Sequence, residues 1–204
     1  MATRSRRRIR TAVLVVVAFG ALFVAIASVL TFRLSGTPIA PESLILDGAP
    51  ASATDPTPVQ LDADLYLPPA RDTDAATGAK NDAPAILLAH GFGGSKKSVS
   101  AEAESLAEAG FVVLAYSARG FGFSTGLISM NAPQFEVADA SRLIDYLSTR
   151  TEVISDGPGD PRIGIAGGSY GGALALMGAG YDPRVDAIAA DITWNSLEES
   201  LFGQ

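Results

Sequence analysis

The segment from Arg162 to Met177 constrains the fold of this chain more than any other. It reads R-I-G-I-A-G-G-S-Y-G-G-A-L-A-L-M: a short apolar strand, a serine between glycines, then a helix-forming run. A strand that becomes a helix within a few residues is a βα unit, and one such unit needs others beside it to bury its faces. The rest of the chain supplies them. Ala85–Ala89 (A-I-L-L-A) reads as a short buried strand followed by a Gly-rich turn. Ser98–Ala109 carries Ala, Glu and Leu at helical spacing and stops at Gly110. Phe111–Tyr116 reads as a second buried strand, 117–132 as a Gly-rich loop, and Pro133 to Thr149 as a helix. Ile163–Ala166, a helix over Tyr170–Gly178 and a strand over Val185–Ile192 continue the alternation. Strands alternating with helices predict an α/β fold with a mostly parallel sheet and helices on its faces. Continuous apolar runs fit strands covered on both sides.

Before these units the pattern differs. Val59, Leu61, Ala63, Leu65 and Leu67 alternate with other residues, the period of a half-exposed strand, which Pro68 and Pro69 end. Residues 70–83 read as a surface loop. Residues 34–58, rich in Pro, Ala, Ser and Thr without a sustained period, read as an extracytoplasmic linker. The expected organisation is therefore a basic n-region with a transmembrane or signal segment at 1–33, a linker at 34–58 and a domain over 59–204.

The N-terminal expectation rests on charge. Thr11 to Phe32 is a run of 22 residues without a charge. As a helix it would span about 33 Å at roughly 1.5 Å per residue, enough for a hydrocarbon core of about 30 Å. Arg4, Arg6, Arg7, Arg8 and Arg10 precede it, and no acidic residue occurs before position 34. That asymmetry predicts a cytoplasmic N-terminus and a domain across the membrane. An uncleaved single-pass anchor in the cell membrane fits the length of the run. A signal cleaved near Ala27, releasing a secreted domain, fits the small-x-small pattern Ala25-Ile26-Ala27.

Composition excludes several chemistries. With no Cys the chain has no disulfide framework, thiolate metal site or cysteine nucleophile, and its one His excludes a multi-His metal site. The net charge of −7 disfavours nucleic acid as a partner. A dinucleotide site at Gly120, Gly122 and Gly126 is disfavoured as well, because that turn must open directly into a helix, and here Leu127–Ala132 intervenes.

Gly167-Gly168-Ser169-Tyr170-Gly171 is a G-x-S-x-G pattern in the context such a pattern requires. A serine on a tight strand-to-helix turn has its hydroxyl exposed above the sheet. Residues two positions away must be Gly, since a Cβ there would strike a neighbouring strand or helix. The helix that follows aims its N–H groups at developing negative charge. Ser169 is thus the candidate nucleophile, with Gly167 and Gly171 as its flanking glycines. A second turn, His90-Gly91-Phe92-Gly93-Gly94, follows the strand at 85–89. In serine hydrolases with a parallel sheet a backbone N–H of such a turn pairs with the N–H of the residue after the nucleophile to hold an oxyanion. On that likeness Phe92 and Tyr170 would be the two donors, with Gly91 keeping the approach open. His90 is expected to brace this turn through hydrogen bonds, and Arg119 to brace the loop after the second buried strand.

Together these pieces resemble the α/β-hydrolases, and within them the Xaa-Pro dipeptidyl-peptidase and cocaine-esterase type of serine hydrolase. The likeness lies in A-D-L-Y-L-P (63–68), H-G-F-G-G-S (90–95), A-R-G-F-G-F-S-T-G (118–126), I-G-I-A-G-G-S-Y-G-G (163–172) and D-I-T-W-N-S-L (191–197). Related enzymes usually begin the third of these with an Asp two residues before the Arg; here that residue is Ser117. The resemblance implies hydrolysis of a small-molecule ester or peptide by Ser169, with no cofactor and no metal. It also implies a triad acid and a His after the serine. The acids after Ser169 are Asp182, Asp186, Asp191, Glu198 and Glu199, and no His follows. Asp191 is read as structural. The expectation is a sheet incomplete at its C-terminal side, in an N-terminal portion of a longer serine hydrolase. The alternative is a non-catalytic, membrane-tethered remnant that binds ligand in the same pocket.

Overall fold

The strands at the centre of the sheet owe their places to an alternation hidden inside their continuous apolar runs. Strand β3 (Ala85–Ala89) sends Ala85, Leu87 and Ala89 into one core, and Leu88, with part-buried Ile86, into another. Strand β4 (Val112–Tyr116) divides likewise, with Val112, Leu114 and Tyr116 on the first side and Val113 and Ala115 on the second. Side chains one residue apart point to opposite faces of a strand, so a run apolar at every position demands a layer on each side. Each buried Leu contributes about 1.5–3 kcal/mol relative to exposure.

This computed structural model describes residues 38–70 and 82–203. The apolar run at 11–32 and most of the loop expected at 70–83 lie outside the described residues. Among the described residues no helix is long and apolar enough to cross a membrane. The main sheet has six strands in the order β1-β2-β4-β3-β7-β8. Strand β1 (Glu42–Pro50) runs antiparallel to β2 (Pro58–Tyr66), and β2 antiparallel to β4. Strands β4, β3, β7 (Ile163–Gly168) and β8 (Val185–Asp191) are mutually parallel. The expected mostly parallel α/β sheet is therefore the observed one.

Helix α1 (Ser100–Glu108) covers the second core, entered through a 3-10 turn at Lys96–Val99. It buries Ala103 and Ala107, four residues apart, against Val113 and Ala115. The first core is closed by α2 (Ala138–Ser148) and α3 (Tyr170–Tyr181). Helix α2 begins in a wide π-type turn at Pro133–Val137 and buries Ala140, Leu143, Ile144 and Leu147 on one stripe, with Arg142 on its polar side. A small hairpin of β5 (Ser155–Gly157) and β6 (Asp160–Pro161) precedes β7, and a short α4 (Leu197–Phe202) follows β8. Neither was expected. Helix α4 starts where the Ser196 hydroxyl accepts the Glu199 N–H at 3.2 Å, an N-cap.

The linker expected at 34–58 is corrected. Its residues Glu42–Pro50 form β1, in register with β2 from Glu42 opposite Leu65 to Asp47 opposite Gln60. Leu44 and Leu46 pack on the first core while Ile45 faces outward. An edge strand with so brief an alternation, set among Pro, Ala and Ser, carries little local signal. Its partner strand supplies the order.

Candidate active site

Strand β7 ends at Gly168, and Ser169 turns the chain into α3 with φ 54° and ψ −112°. A positive φ at a residue with a Cβ costs of order 1–3 kcal/mol and persists only where its surroundings enforce it. Two bonds do so here. The Ser169 N–H donates to the Asp191 carbonyl on β8 at 2.9 Å, and the Ser169 carbonyl accepts from Ala173 N–H at 3.0 Å, the first helical bond. Asp191 thus holds the turn through its backbone. The Ser169 side chain makes no capping bond to the helix it precedes.

The flanking glycines are required by close approach. A Cβ on Gly167 would lie 2.5 Å from the Ala89 carbonyl oxygen, and one on Gly171 would overlap that same oxygen. Gly91 stands apart from the two flanking glycines, because no close approach requires it. A Cβ there would meet Gly168 O at 3.8 Å and Ser169 Cβ at 3.9 Å, ordinary contacts. Its bareness leaves open the space beside the serine rather than relieving a clash.

The side chains of the two residues expected to supply the N–H donors are in contact. Phe92 and Tyr170 touch edge to face with ring centroids 5.7 Å apart, and both lean on Phe121, at 5.3 and 5.8 Å. Neither backbone N–H has an acceptor among the described residues. Tyr170 is buried and fastened at both ends. Its hydroxyl donates to Glu136 Oε1 at 3.1 Å and accepts from Asn131 N–H at 3.2 Å, while its carbonyl accepts from Asn131 Nδ2 at 2.9 Å. Burial, reinforced by the Glu136 carboxylate, raises the phenol above its ordinary pKa and keeps it neutral.

The His90 turn is braced as expected. The Ala118 N–H donates to Nε2 at 3.0 Å, so Nδ1 carries the proton and donates to Gly91 O at 2.7 Å. Burial lowers the imidazole pKa against the opposing pull of the Gly91 carbonyl. Both nitrogens are engaged and the ring is buried, so His90 is a structural imidazole. Beyond the turn, Lys96 reaches Asp62 and Asp64 on β2 at 2.7 Å each. Burial alone would depress the ammonium, but the two carboxylates outweigh it and hold its pKa above the ordinary value. Ser117, which stands where related enzymes usually carry Asp, accepts the Lys96 backbone N–H at 3.1 Å.

Arg119 braces its loop through a fully buried fork. Nε and Nη2 donate to Asp139 Oδ2 and Oδ1 at 2.7 Å each, and Nη1 donates to Pro50 O at 3.2 Å. Asp139 also accepts Ala49 N–H at 2.7 Å. One ion pair therefore joins the loop, α2 and the end of β1. Sequence reasoning did not find Asp139, Lys96 with its two carboxylates, or the Asn131–Glu136 latch on Tyr170. Their partners lie far apart along the chain and follow no spacing rule. Among the described residues no group of His, Asp and Glu side chains is arranged to hold a metal.

The profile of the X-Pro dipeptidyl-peptidase (S15) family matches residues 56–204. The uncharacterized protein PA2218 of Pseudomonas aeruginosa is 32% identical over 139 residues, 67% of this chain and 34% of that one. Its crystal structure superimposes with a TM-score of 0.64 at 26% identity, covering 82% of this chain and 47% of the other. Thiohydrolase aneE of Aspergillus aculeatus is 36% identical over 108 residues, 52% of this chain and 32% of that protein. The chain thus spans about a third of the length of these two curated relatives. Esterase Pf2001 of Pyrococcus furiosus shares the fold, with a TM-score of 0.56 at 18% identity over 78% of this chain and 56% of that one. The match runs from the start of β2 through the serine turn to α4, and by it the chain belongs to the X-Pro dipeptidyl-peptidase (S15) family of α/β-hydrolases.

Proposed function

We propose that this domain carries the nucleophile and oxyanion hole of a serine hydrolase acting on ester, thioester or peptide acyl groups. The observation behind this reading is Ser169 itself. A strained, uncapped serine at the head of α3 lies in the turn that also presents the Tyr170 N–H, with Phe92 packed on the Tyr170 ring. In the proposed reaction Ser169 Oγ attacks the substrate carbonyl carbon and gives its proton to a base. The carbonyl oxygen becomes an oxyanion held by the Phe92 and Tyr170 N–H groups and favoured by the positive end of α3. Collapse expels the alcohol, thiol or amine, which takes up the proton, and water then releases the acyl group from Ser169. The base is an imidazole from outside these 204 residues, because His90 is the one His in the sequence and both its nitrogens are bonded.

The names of the matched proteins favour acyl chemistry of this breadth: a thiohydrolase, an esterase and a family of X-Pro peptidases. The proposal further places the domain outside the cytoplasm, delivered there by the run at 11–32. The competing reading, a ligand-binding domain without turnover, draws on the lone buried imidazole. A fluorophosphonate probe applied to the protein in its native cells decides between them. Peptide mapping should find the adduct on Ser169 and none in Ser169→Ala, whereas an unlabelled serine in native cells supports the binding domain.

A further inference from the structure

The peptide that joins Ser169 to Tyr170 has one end accounted for. Its carbonyl points down α3 to the Ala173 N–H, and in a trans peptide the N–H points the opposite way, out of the first turn of the helix. The exact aim of that N–H is set by whatever holds Tyr170. Three bonds do so: the hydroxyl donates to Glu136 Oε1 and accepts the Asn131 N–H, and the carbonyl accepts Asn131 Nδ2. The ring so held is also the surface on which Phe92 packs.

Glu136 anchors this arrangement from behind. It is 1% exposed and lies in the wide π-type turn at Pro133–Val137, a rare conformation that recurs at functional sites. Its Oε1 accepts both the Tyr170 hydroxyl and the Ser129 N–H, while Oε2 has no partner among the described residues. An apolar side chain would fill the same place without an unsatisfied oxygen, so packing alone does not account for the acid. The loop that meets it is strained as well. Met130 and Asn131 have φ of 54° and 58°, consecutive left-handed residues without glycine. A buried acid and a strained loop thus converge on one hydroxyl, which belongs to the residue after Ser169.

We infer that Glu136 is a positioning residue of the oxyanion hole, acting through the Tyr170 hydroxyl to fix the Tyr170 N–H and to keep the ring beneath Phe92 in place. The inference rests on the serine-hydrolase reading for the word oxyanion. Buried as it is, Glu136 acts without touching substrate. Without this anchor the strained turn at Ser169, φ 54°, is free to relax and carry the N–H with it. A displaced donor weakens the transition state and spares the bound substrate, so the loss belongs in kcat rather than KM.

The test uses the protein purified from its native cells in mild detergent, as wild type, Glu136→Leu, Glu136→Gln and Tyr170→Phe. Two rates are measured on each: fluorophosphonate labelling of Ser169, and turnover of a short-chain aryl ester, with thermal unfolding alongside. Glu136→Leu and Tyr170→Phe should each slow labelling and lower kcat by about tenfold to a hundredfold, with KM changed less than about twofold. Glu136→Gln, whose amide oxygen accepts both bonds, should stay within about threefold of wild type. Because Glu136 and Tyr170 act through one bond, the double variant Glu136→Leu with Tyr170→Phe should be no slower than the slower single. Tyr170→Phe keeps the ring in the core, so it decides the matter even where Glu136→Leu does not fold. Wild-type rates in Tyr170→Phe, a loss confined to KM, or Glu136→Gln as slow as Glu136→Leu would each overturn the assignment and leave the nucleophile standing. A wild-type Ser169 that takes no label would remove the serine-hydrolase reading, and the positioning role with it.

Discussion

Replacing Arg119 with Met tests whether the buried fork organises the loop beneath the serine turn. The guanidinium is fully buried, and its removal leaves the Asp139 carboxylate, 1% exposed, with the Ala49 N–H and no cation. Losing one partner of a buried pair costs about 3–5 kcal/mol, because the remaining charge stays desolvated. Domains of this kind hold about 5–15 kcal/mol in all, so the variant should lose a large share. At about 2–4 °C per kcal/mol the midpoint should fall by roughly 6–20 °C. Asp139 already sits above its ordinary pKa through burial, with Arg119 opposing. Without the arginine it should rise further. A carboxyl whose folded pKa is raised favours the protonated folded state. The variant should therefore be most stable below the unfolded value near 4 and lose stability as pH rises to the raised value, then level off. Replacing both residues, as Arg119→Met with Asp139→Leu, should recover most of the loss, since an apolar pair of similar volume often substitutes for a buried ion pair. Urea and thermal unfolding of the full chain in mild detergent, followed by circular dichroism, reads all of this. A loss below about 1 kcal/mol in the single variant, or a double variant no better than the single, would refute the reasoning.

Burial lowers the His90 pKa, so its folded state favours the neutral ring: stability should be full above about 6.5 and decline as pH falls from there to the lowered value. His90→Gln should flatten that slope in pH-dependent urea titrations. Given no free imidazole, the 204-residue chain expressed alone should show neither fluorophosphonate labelling nor aryl-ester hydrolysis above background. In the active protein, Phe92→Pro removes one oxyanion N–H and should lower kcat by roughly a hundredfold or more, measured at saturating short-chain aryl ester. A reporter that works only when exported, fused after residue 40, should be active, and the mass of the membrane-retained protein should show whether residues up to Ala27 remain.

The residues that set the elbow speak for themselves in the chain. Gly167, Ser169 and Gly171 encode a strand-to-helix turn through spacing alone, because the clash they avoid involves the next strand of any parallel sheet. The runs at Ala85–Ala89 and Val112–Tyr116 likewise announce strands with two covered faces, since a run apolar at every position has no solvent side. Even His90 as a brace was legible, from its place at the head of a glycine turn. These features depend on neighbours a few residues away, and local sterics and solvation are the same wherever the segment sits.

The fastening of that turn was decided elsewhere. Strand β1 has almost no signal of its own and exists because β2 offers a ladder in register from Glu42 to Asp47. Arg119 finds Asp139, Lys96 finds Asp62 and Asp64, and Asn131 and Glu136 close on Tyr170, because the order β2-β4-β3-β7 brings their elements side by side. Whether a buried charge or amide is stable depends on a partner within about 3 Å, and that distance is set by packing rather than by separation along the chain. Spacing along the chain was enough to make Ser169 a candidate nucleophile, whereas only tertiary packing could bring the Phe92 ring onto Tyr170.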